Sequence, residues 1–412
     1  MVSDLASLRK LKLSNFKLNS LLEITQAINE NLSTDDLLEK YEKILCHELS
    51  IGKLYILIKN VQWESILLTG ISEDFIDNPQ EIVDSFLYKF DEITSISLLN
   101  EYPFQIFDII IPVFHKDSPV AYVLIGDIEE EREGLSPIIK HLKYIQTITN
   151  IIVVAIENKR LYKESIEKEA YKKELEVASR MQAMLIPSSD SLPKNNHLNV
   201  AAYYRPHSQV GGDYYDFISL NNQEFGFCIA DVSGKGVSAA ILMSNFQANV
   251  RALFKSNISL IQLIKELNQH VNESAHGEKF ITFFIGKYHV RDRILHYINA
   301  GHNPPLLMKK KENTMLYLTN GCVGLGMFDE IPSIRVGTVH IDSGDKMVCY
   351  TDGLVEAENE DLNEFGTFPL EGALSLEGDI DQTIQYLNDK LEKFLHGKTL
   401  GDDISIIGLD FF

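Results

Sequence analysis

The chain has 412 residues, of which 45% are hydrophobic, and its 59 acidic and 38 basic residues give a net charge of −21. This length is sufficient for two or three domains with cores of their own, and we expect two. The acidic balance argues against a nucleic-acid partner, because phosphate backbones require a basic surface. The longest apolar run, Ile151 to Ile156, is far shorter than the roughly 20 residues of a membrane span, so we expect no membrane partner.

The cysteines indicate a reducing compartment. Cys46, Cys228, Cys322 and Cys349 show no paired spacing, and two of them lie in strand-like apolar runs. This pattern predicts buried free thiols rather than a disulfide framework. The first ten residues also lack the apolar core of a signal peptide. We therefore predict a cytoplasmic protein.

Residues 1–158 predict an α/β domain. Apolar residues at helical spacing between Leu18 and Ile28 predict one helix, and the capping sequence Ser33 to Asp36 begins a second. Strands are predicted at 53–58, 65–68, 109–114 and 120–125, the last two as a hairpin with a turn at 116–119, and a helix from about 136 to 158 closes the unit. This order resembles a GAF domain, a module that senses a small molecule or a protein signal. A plain dimerisation or docking unit stays open as the alternative, since no ligand motif can be assigned residue by residue.

Residues 159–187 predict a helical, coiled-coil-like linker that ends at Pro187. Charged pairs four residues apart, such as Glu169 with Lys173, favour an exposed helix. Apolar residues recur in steps of three to five rather than in strict heptads, at Tyr162, Ile166, Ala170, Leu175, Ala178, Met181 and Leu185. This favours an imperfectly packed helix pair, and hence a homodimer through residues 145–185. A solvated single helix is the alternative.

Residues 188–412 predict two β-sheets faced by helices. Helices are expected at 237–254, 260–272 and 380–394. Short apolar strands separated by glycine, asparagine and aspartate turns are expected from Leu198 onward, including 225–230, 280–288, 294–299, 305–309, 315–319, 334–340, 346–350 and 403–410.

Four aspartates in this region occur in similar contexts, beside glycines and at the ends of apolar runs. Asp213 follows two glycines, Asp231 ends a strand before a glycine-rich turn, and Asp352 and Asp403 lie beside later strands. Carboxylates on backbone that can approach closely are suited to hard divalent cations. We therefore expect the fold to gather these four side chains around two metal ions.

Six motifs occur in order over residues 178–412: VGGDYYDF (210–217), DVSGKG (231–236), NAGHNPP (299–305), GLG (324–326), YTDGLVEA (350–357) and GDDI (401–404). Together with the lead-in 178–187, they resemble the SpoIIE/RsbU branch of the type 2C metal-dependent serine/threonine phosphatases. The resemblance implies an αββα sandwich that holds two Mn²⁺ or Mg²⁺ ions. It implies four catalytic, metal-binding aspartates. Asp213 and Asp231 would be the shared ligands of the metal pair, with the Val232 carbonyl as an additional ligand. Asp352 and Asp403 would complete the coordination shell of the second metal.

The implied reaction is hydrolysis of phosphoserine or phosphothreonine by an activated water. The resemblance further implies a phosphorylated regulatory partner, a STAS-type anti-sigma-factor antagonist, under control of the N-terminal sensor. No residue of this chain selects that substrate.

Further substrate-binding candidates are Arg205, Gly212, Lys235 and His302. Three of them also have a structural interpretation: a solvated turn lysine for Lys235, a tight-turn residue for His302, and backbone geometry for Gly212. Asp216 is either a residue that supports the metal ligands or an exposed strand aspartate.

Two other classes of protein share part of this pattern. Gly211-Gly212-Asp213 is similar to the signature of diguanylate cyclases, but Tyr214 stands where that family has glutamate. The other rival is a catalytically weak scaffold that binds a phosphoprotein partner. Loss of a ligand aspartate would mark such a protein, and all four are present.

Overall fold

The structure is a computed structural model that describes residues 2–71, 78–96, 106–115, 117–128, 141–207 and 210–412. Its packing divides the chain into two compact units, residues 1–168 and 169–412. The mixed α and β content expected from the sequence is confirmed.

The N-terminal unit is built on an antiparallel sheet with strand order β2-β1-β5-β4-β3. Its elements are α1 (Val2–Asn29), α2 (Thr34–Glu42), β1 (Ile51–Lys59), β2 (Trp63–Thr69), α3 (Pro79–Ile82), β3 (Thr94–Ser95), β4 (Ile109–His115), β5 (Ser118–Ile128) and the first part of α4 (Leu142–Ala183). Helices α1, α2 and α4 pack on one face of the sheet, through alternate residues such as Leu54, Ile56 and Ile58. The residues between them, Tyr55 and Leu57, belong to a second core on the other face, as the two-residue period of a strand requires.

The local signals of this unit are confirmed where the structure describes them. The Ser33 hydroxyl accepts a hydrogen bond from the Asp36 N–H at 3.1 Å, and the Asp36 carboxylate accepts one from the Ser33 N–H, which completes the predicted capping box. Strands β4 and β5 form the predicted hairpin. Lys116 in its turn, and residues 136–140 of the predicted closing helix, lie outside the described residues.

Helix α4 has 42 residues and ends at Ala183, four residues before the predicted end at Pro187. The earlier end has a local cause. The N–H groups of Met184 and Leu185 bond to carbonyls three residues back, which tightens the last turn, and the residue before a proline disfavours helical geometry.

The C-terminal unit contains two sheets. One has the order β13-β10-β9-β8-β7 with β14 on β10, and the other has the order β12-β11-β15-β16-β6. The strands are β6 (Leu198–Arg205), β7 (Tyr214–Asn221), β8 (Glu224–Val232), β9 (Ile281–His289), β10 (Ile294–Ala300), β11 (Leu306–Lys309), β12 (Thr314–Tyr317), β13 (Gly321–Cys322), β14 (Gly337–His340), β15 (Lys346–Tyr350) and β16 (Ile404–Phe411). The helices are α5 (Val237–Leu253), α6 (Leu260–Ala275), α7 (Asp352–Val355), α8 (Phe368–Leu374) and α9 (Ile380–Leu395).

The layers follow from residue alternation along the strands. In β8, Phe227 and Ile229 face the core between the sheets, whereas Cys228 and Ala230 face the core under α5 and α6. Helices α8 and α9 cover the outer face of the other sheet. The unit is therefore an α-β-β-α sandwich, as expected.

One strand begins three residues later than predicted. We expected a strand over 334–340, but β14 begins at Gly337, because pairing with β10 starts only at the pair Tyr297 and Gly337. Ahead of it, the Arg335 N–H bonds instead to the Gly321 carbonyl.

No helix in the described part of the chain combines the length and apolar character needed to cross a bilayer. All four cysteines are free thiols, as predicted, although Cys46 and Cys322 are only partly buried.

Candidate active site

The four predicted aspartates come from two neighbouring strand pairs, one in each sheet. Asp213 directly precedes β7 and Asp231 lies near the end of β8, and these strands pair with Tyr214 opposite Ala230. Asp352 begins α7 just after β15, and Asp403 directly precedes β16, which pairs with β15. Two carboxylates from each sheet therefore meet at one end of the sandwich.

Thr351 joins the two sheets at this point. Its hydroxyl donates to Asp213 Oδ2 at 2.8 Å and accepts from the Ser405 N–H at 2.9 Å. Thr351 is fully buried and Asp213 is only 1% exposed. The hydroxyl therefore fixes the orientation of the Asp213 carboxylate.

Asp403 is held by backbone amides. The His207 N–H donates to Asp403 Oδ1 at 2.8 Å, and the Gly212 N–H donates to Oδ2 at 2.7 Å. Each carboxylate oxygen has a second lone pair, so both can still bind a cation.

The carboxylates raise one another's pKa. Burial, followed by the charges of Asp231 and Asp403, raises the pKa of Asp213 well above its usual range. Burial and the charges of Asp352, Asp402 and Asp403 raise the pKa of Asp231 to about 7. Burial and Asp402 also raise the pKa of Asp352. A bound cation would remove this repulsion between charges.

The oxygen donors fit Mg²⁺ or Mn²⁺ chemically, because carboxylates and carbonyls are hard ligands. Gly212 leaves room beside them: a Cβ atom there would lie 2.9 Å from the Val232 carbonyl oxygen and 3.5 Å from Asp231 Oδ1. As the side chains stand, no group of three or more Asp, Glu, His or Cys residues in the described ranges converges on one point as a metal site. The donor set fits the predicted ions, whereas the ligand geometry of each ion stays a proposal.

Two of the substrate-binding candidates, Arg205 and His302, already contact neighbouring side chains. Arg205 pairs with Glu392 on α9. His302 is 5% exposed, its Nδ1 lies 2.9 Å from the Thr282 hydroxyl, and burial lowers its pKa to about 4, so the ring is neutral at pH 7. This favours the structural interpretation of His302.

Asp216 is not an exposed strand residue, which corrects one of its two predicted interpretations. It is fully buried and binds the Arg251 guanidinium with both oxygens, at 2.6 and 3.1 Å. The Tyr214 hydroxyl also donates to it at 2.6 Å. These bonds tie β7 to α5 on the helical side of the sheet.

Two residues near the aspartates were not singled out from the sequence. Thr351 lies within the motif 350–357, but its role depends on the packing of the sheets. Asp402 adds negative charge and pairs with Lys235 Nζ at 2.9 Å. Its position beside Asp403 was the one available signal.

Lys235 is half exposed and also donates to the Gly401 carbonyl. Exposed ion pairs contribute about 0–1 kcal/mol. We therefore expect Lys235→Ala to change the rate of the predicted phosphate hydrolysis by less than about tenfold, or about 1.4 kcal/mol in barrier. Steady-state assays at saturating Mn²⁺ test this, and a loss of several hundredfold would make Lys235 a phosphate ligand instead.

The fold of the C-terminal unit has a counterpart among solved structures. The chain superposes on the SiaA PP2C domain of Pseudomonas aeruginosa with a TM-score of 0.51 and 19% identity, over 60% of this chain and 99% of that domain. The C-terminal unit thus has the PP2C fold.

The sequence of the C-terminal region is similar to one protein family and to two phosphatases. Residues 221–412 match the family described as Stage II sporulation protein E (SpoIIE). The phosphoserine phosphatase RsbU of Bacillus subtilis is 31% identical over 189 residues, which are 46% of this chain and 55% of RsbU. The phosphoserine phosphatase RsbP of the same organism is 24% identical over 192 residues, 45% of this chain and 46% of RsbP. The chain therefore spans about half the length of these relatives.

Proposed function

We propose that this protein is a metal-dependent phosphoprotein phosphatase that hydrolyses phosphoserine or phosphothreonine. The observation that carries the proposal is the approach of four aspartates from two sheets, close enough for their charges to raise the pKa of Asp213 and Asp231. A buried threonine holds Asp213, and two backbone amides hold Asp403. Two relatives that bear the name phosphoserine phosphatase support the choice of substrate.

In this proposal, residues of the chain hold and orient the metal-binding carboxylates. Thr351 sets the Asp213 carboxylate, and the amides of His207 and Gly212 set Asp403. When bound, two Mn²⁺ or Mg²⁺ ions would supply Lewis acidity, which would acidify a water and neutralise phosphoryl charge. The residues proposed to hold them are Asp213, Asp231, Asp352, Asp403 and the carbonyl of Val232. His302 is neutral and buried, so it is not the proton donor at pH 7 in this proposal.

The substrate class can be tested with matched phosphopeptides. The purified chain, with Mn²⁺, is offered one peptide sequence that carries phosphoserine, phosphothreonine or phosphotyrosine. We expect release of phosphate from the first two and little from the third. A phosphorylated STAS-type antagonist is the protein partner that we propose, and it should be dephosphorylated faster than the peptides. Binding of that partner without phosphate release would favour the scaffold alternative.

We also propose that residues 1–158 act as a GAF-like sensor, 159–187 as a linker and 188–412 as the phosphatase domain of a cytoplasmic homodimer. Support for the dimer comes from large apolar side chains exposed along α4. Tyr162 is 70% exposed, Tyr171 59% and Ile166 50%. Apolar surface of this kind is suited to a second helix.

A proline in the linker should change regulation without touching either core. Glu167 is exposed in the middle of α4, and proline there costs roughly 3 kcal/mol of helix stability. We expect Glu167→Pro to alter basal phosphatase activity and to lower the dimer mass measured by light scattering, while Glu167→Ala changes neither. If the proline variant retains the activity and mass of the wild type, the linker is a passive tether.

A further inference from the structure

The last turn of α4 contains a buried glutamine that binds the backbone beside the aspartates. The Gln182 carboxamide nitrogen donates to the Gly211 carbonyl at 2.6 Å, and its oxygen accepts from the Gly211 N–H at 3.0 Å. Gln182 is 6% exposed. One side chain thus satisfies both polar groups of one glycine, in the manner of a strand partner.

Gly211 lies directly against Asp403. A Cβ atom on Gly211 would fall 2.3 Å from Asp403 Oδ2, and the next N–H along the chain, that of Gly212, donates to that oxygen at 2.7 Å. The direction of the Gly212 N–H depends on the peptide plane between Gly211 and Gly212. Whatever fixes Gly211 therefore fixes one of the two amides that hold Asp403.

The segment that follows Gln182 is itself anchored. The Tyr215 hydroxyl donates to the Pro187 carbonyl at 3.0 Å, and Gln247 Nε2 lies 3.5 Å from the Leu185 carbonyl. The segment after α4 is therefore attached to β7 and α5, while the last turn of α4 is attached to Gly211. Of these contacts, those of Gln182 lead to a carboxylate of the candidate site.

We propose that Gln182 is a positioning residue for the metal site: by clamping Gly211 in both directions, it fixes the Gly212 N–H that holds Asp403. This inference rests on the proposed function and deepens it, because it assigns part of the metal affinity to the last turn of α4. Residues that orient a ligand in this way typically contribute 10–100-fold to metal affinity or activity.

The test compares Gln182→Met with Gln247→Met in the full-length chain. Methionine keeps a similar length and apolar stem but lacks the carboxamide that bonds to Gly211. Gln247 is a suitable control because it is equally buried and contacts the same post-helical segment, but makes no bond to the glycine pair. Mn²⁺ affinity is measured by isothermal titration calorimetry, well below the melting temperature of each variant, so that loss of folded protein does not enter the result.

We expect Gln182→Met to bind Mn²⁺ about tenfold or more weakly, with Gln247→Met close to wild type. Turnover should recover in part at saturating Mn²⁺, since the other ligands are intact. Equal affinity in Gln182→Met and wild type overturns the inference, and so does an equal loss in both methionine variants, which would indicate general packing.

If Gln182→Met does not fold, Gln182→Glu takes its place. Glutamate can still accept from the Gly211 N–H but cannot donate to the Gly211 carbonyl, so the same loss of affinity is expected, and wild-type affinity again contradicts the inference. The proposed function fails separately, if wild-type protein neither binds Mn²⁺ nor releases phosphate.

Discussion

Asp231→Asn and Asp352→Asn are each expected to reduce metal-dependent phosphatase turnover by at least about a hundredfold. Loss of a residue that merely supports a ligand costs 10–100-fold, so loss of a proposed ligand should cost no less. A neutral amide also attracts the cations less and leaves the activated water less acidic. Turnover is measured with an aryl phosphate across a Mn²⁺ titration.

Asp389→Asn is the matched control, since Asp389 is an exposed aspartate on α9. It should retain wild-type turnover. Near-normal activity in either site variant, with metal still required, would contradict the two-metal assignment.

The same substitution should not harm the metal-free fold. The pKa of Asp231 is raised to about 7, by burial first and by neighbouring carboxylates second, so its charged form destabilises the native state at higher pH. In EDTA at pH 8, we expect the melting temperature of Asp231→Asn to equal or exceed that of wild type. A clear fall would assign Asp231 a structural role.

Gly353→Ala is expected to destabilise the C-terminal unit and to weaken metal binding together. A Cβ atom at Gly353 would lie 2.0 Å from the Asp403 carbonyl oxygen, and backbone cannot move aside as a flexible side chain can. Overpacking of this kind costs about 1–3 kcal/mol. A cost of about 2 kcal/mol lowers the melting temperature by about 4–8 °C in a domain of this size. The displaced Asp403 should also bind Mn²⁺ more weakly.

Gly372→Ala is the matched control for that experiment. Gly372 lies in α8 with open space around the position of its Cβ atom, and alanine favours a helix. Differential scanning calorimetry should therefore show an unchanged or slightly higher melting temperature. If Gly353→Ala melts and binds Mn²⁺ like wild type, the close approach of α7 to Asp403 is not needed for the site.

The sequence alone was sufficient to predict the structural features that depend on local chemistry. The Ser33 capping box, the β4–β5 hairpin and the helices α5, α6 and α9 were predicted because their signals lie within a few residues of one another. Short elements such as α3, α7 and β13 were not predicted, since a few residues carry no periodic pattern.

Such local patterns do not predict contacts between segments that are distant in sequence. Thr351 bonds to Asp213 across 138 positions of sequence, and Gln182 bonds to Gly211 from a helix that looked like part of a linker. Asp216 could not be distinguished from a surface residue until α5 placed Arg251 beside it. The aspartates themselves were predicted because glycines and strand ends mark them locally.

Phosphate release by the wild-type chain, followed in Mn²⁺, in excess EDTA and after Mn²⁺ is restored, tests the central claim most directly. Asp231→Asn is assayed beside it with the same phosphoserine peptide. We predict turnover in Mn²⁺, none in EDTA, recovery when the ion is restored, and at most about a hundredth of the wild-type rate in the variant. Turnover that persists in EDTA, or that the Asp231→Asn variant retains, would contradict a metal-dependent phosphatase built on these four aspartates.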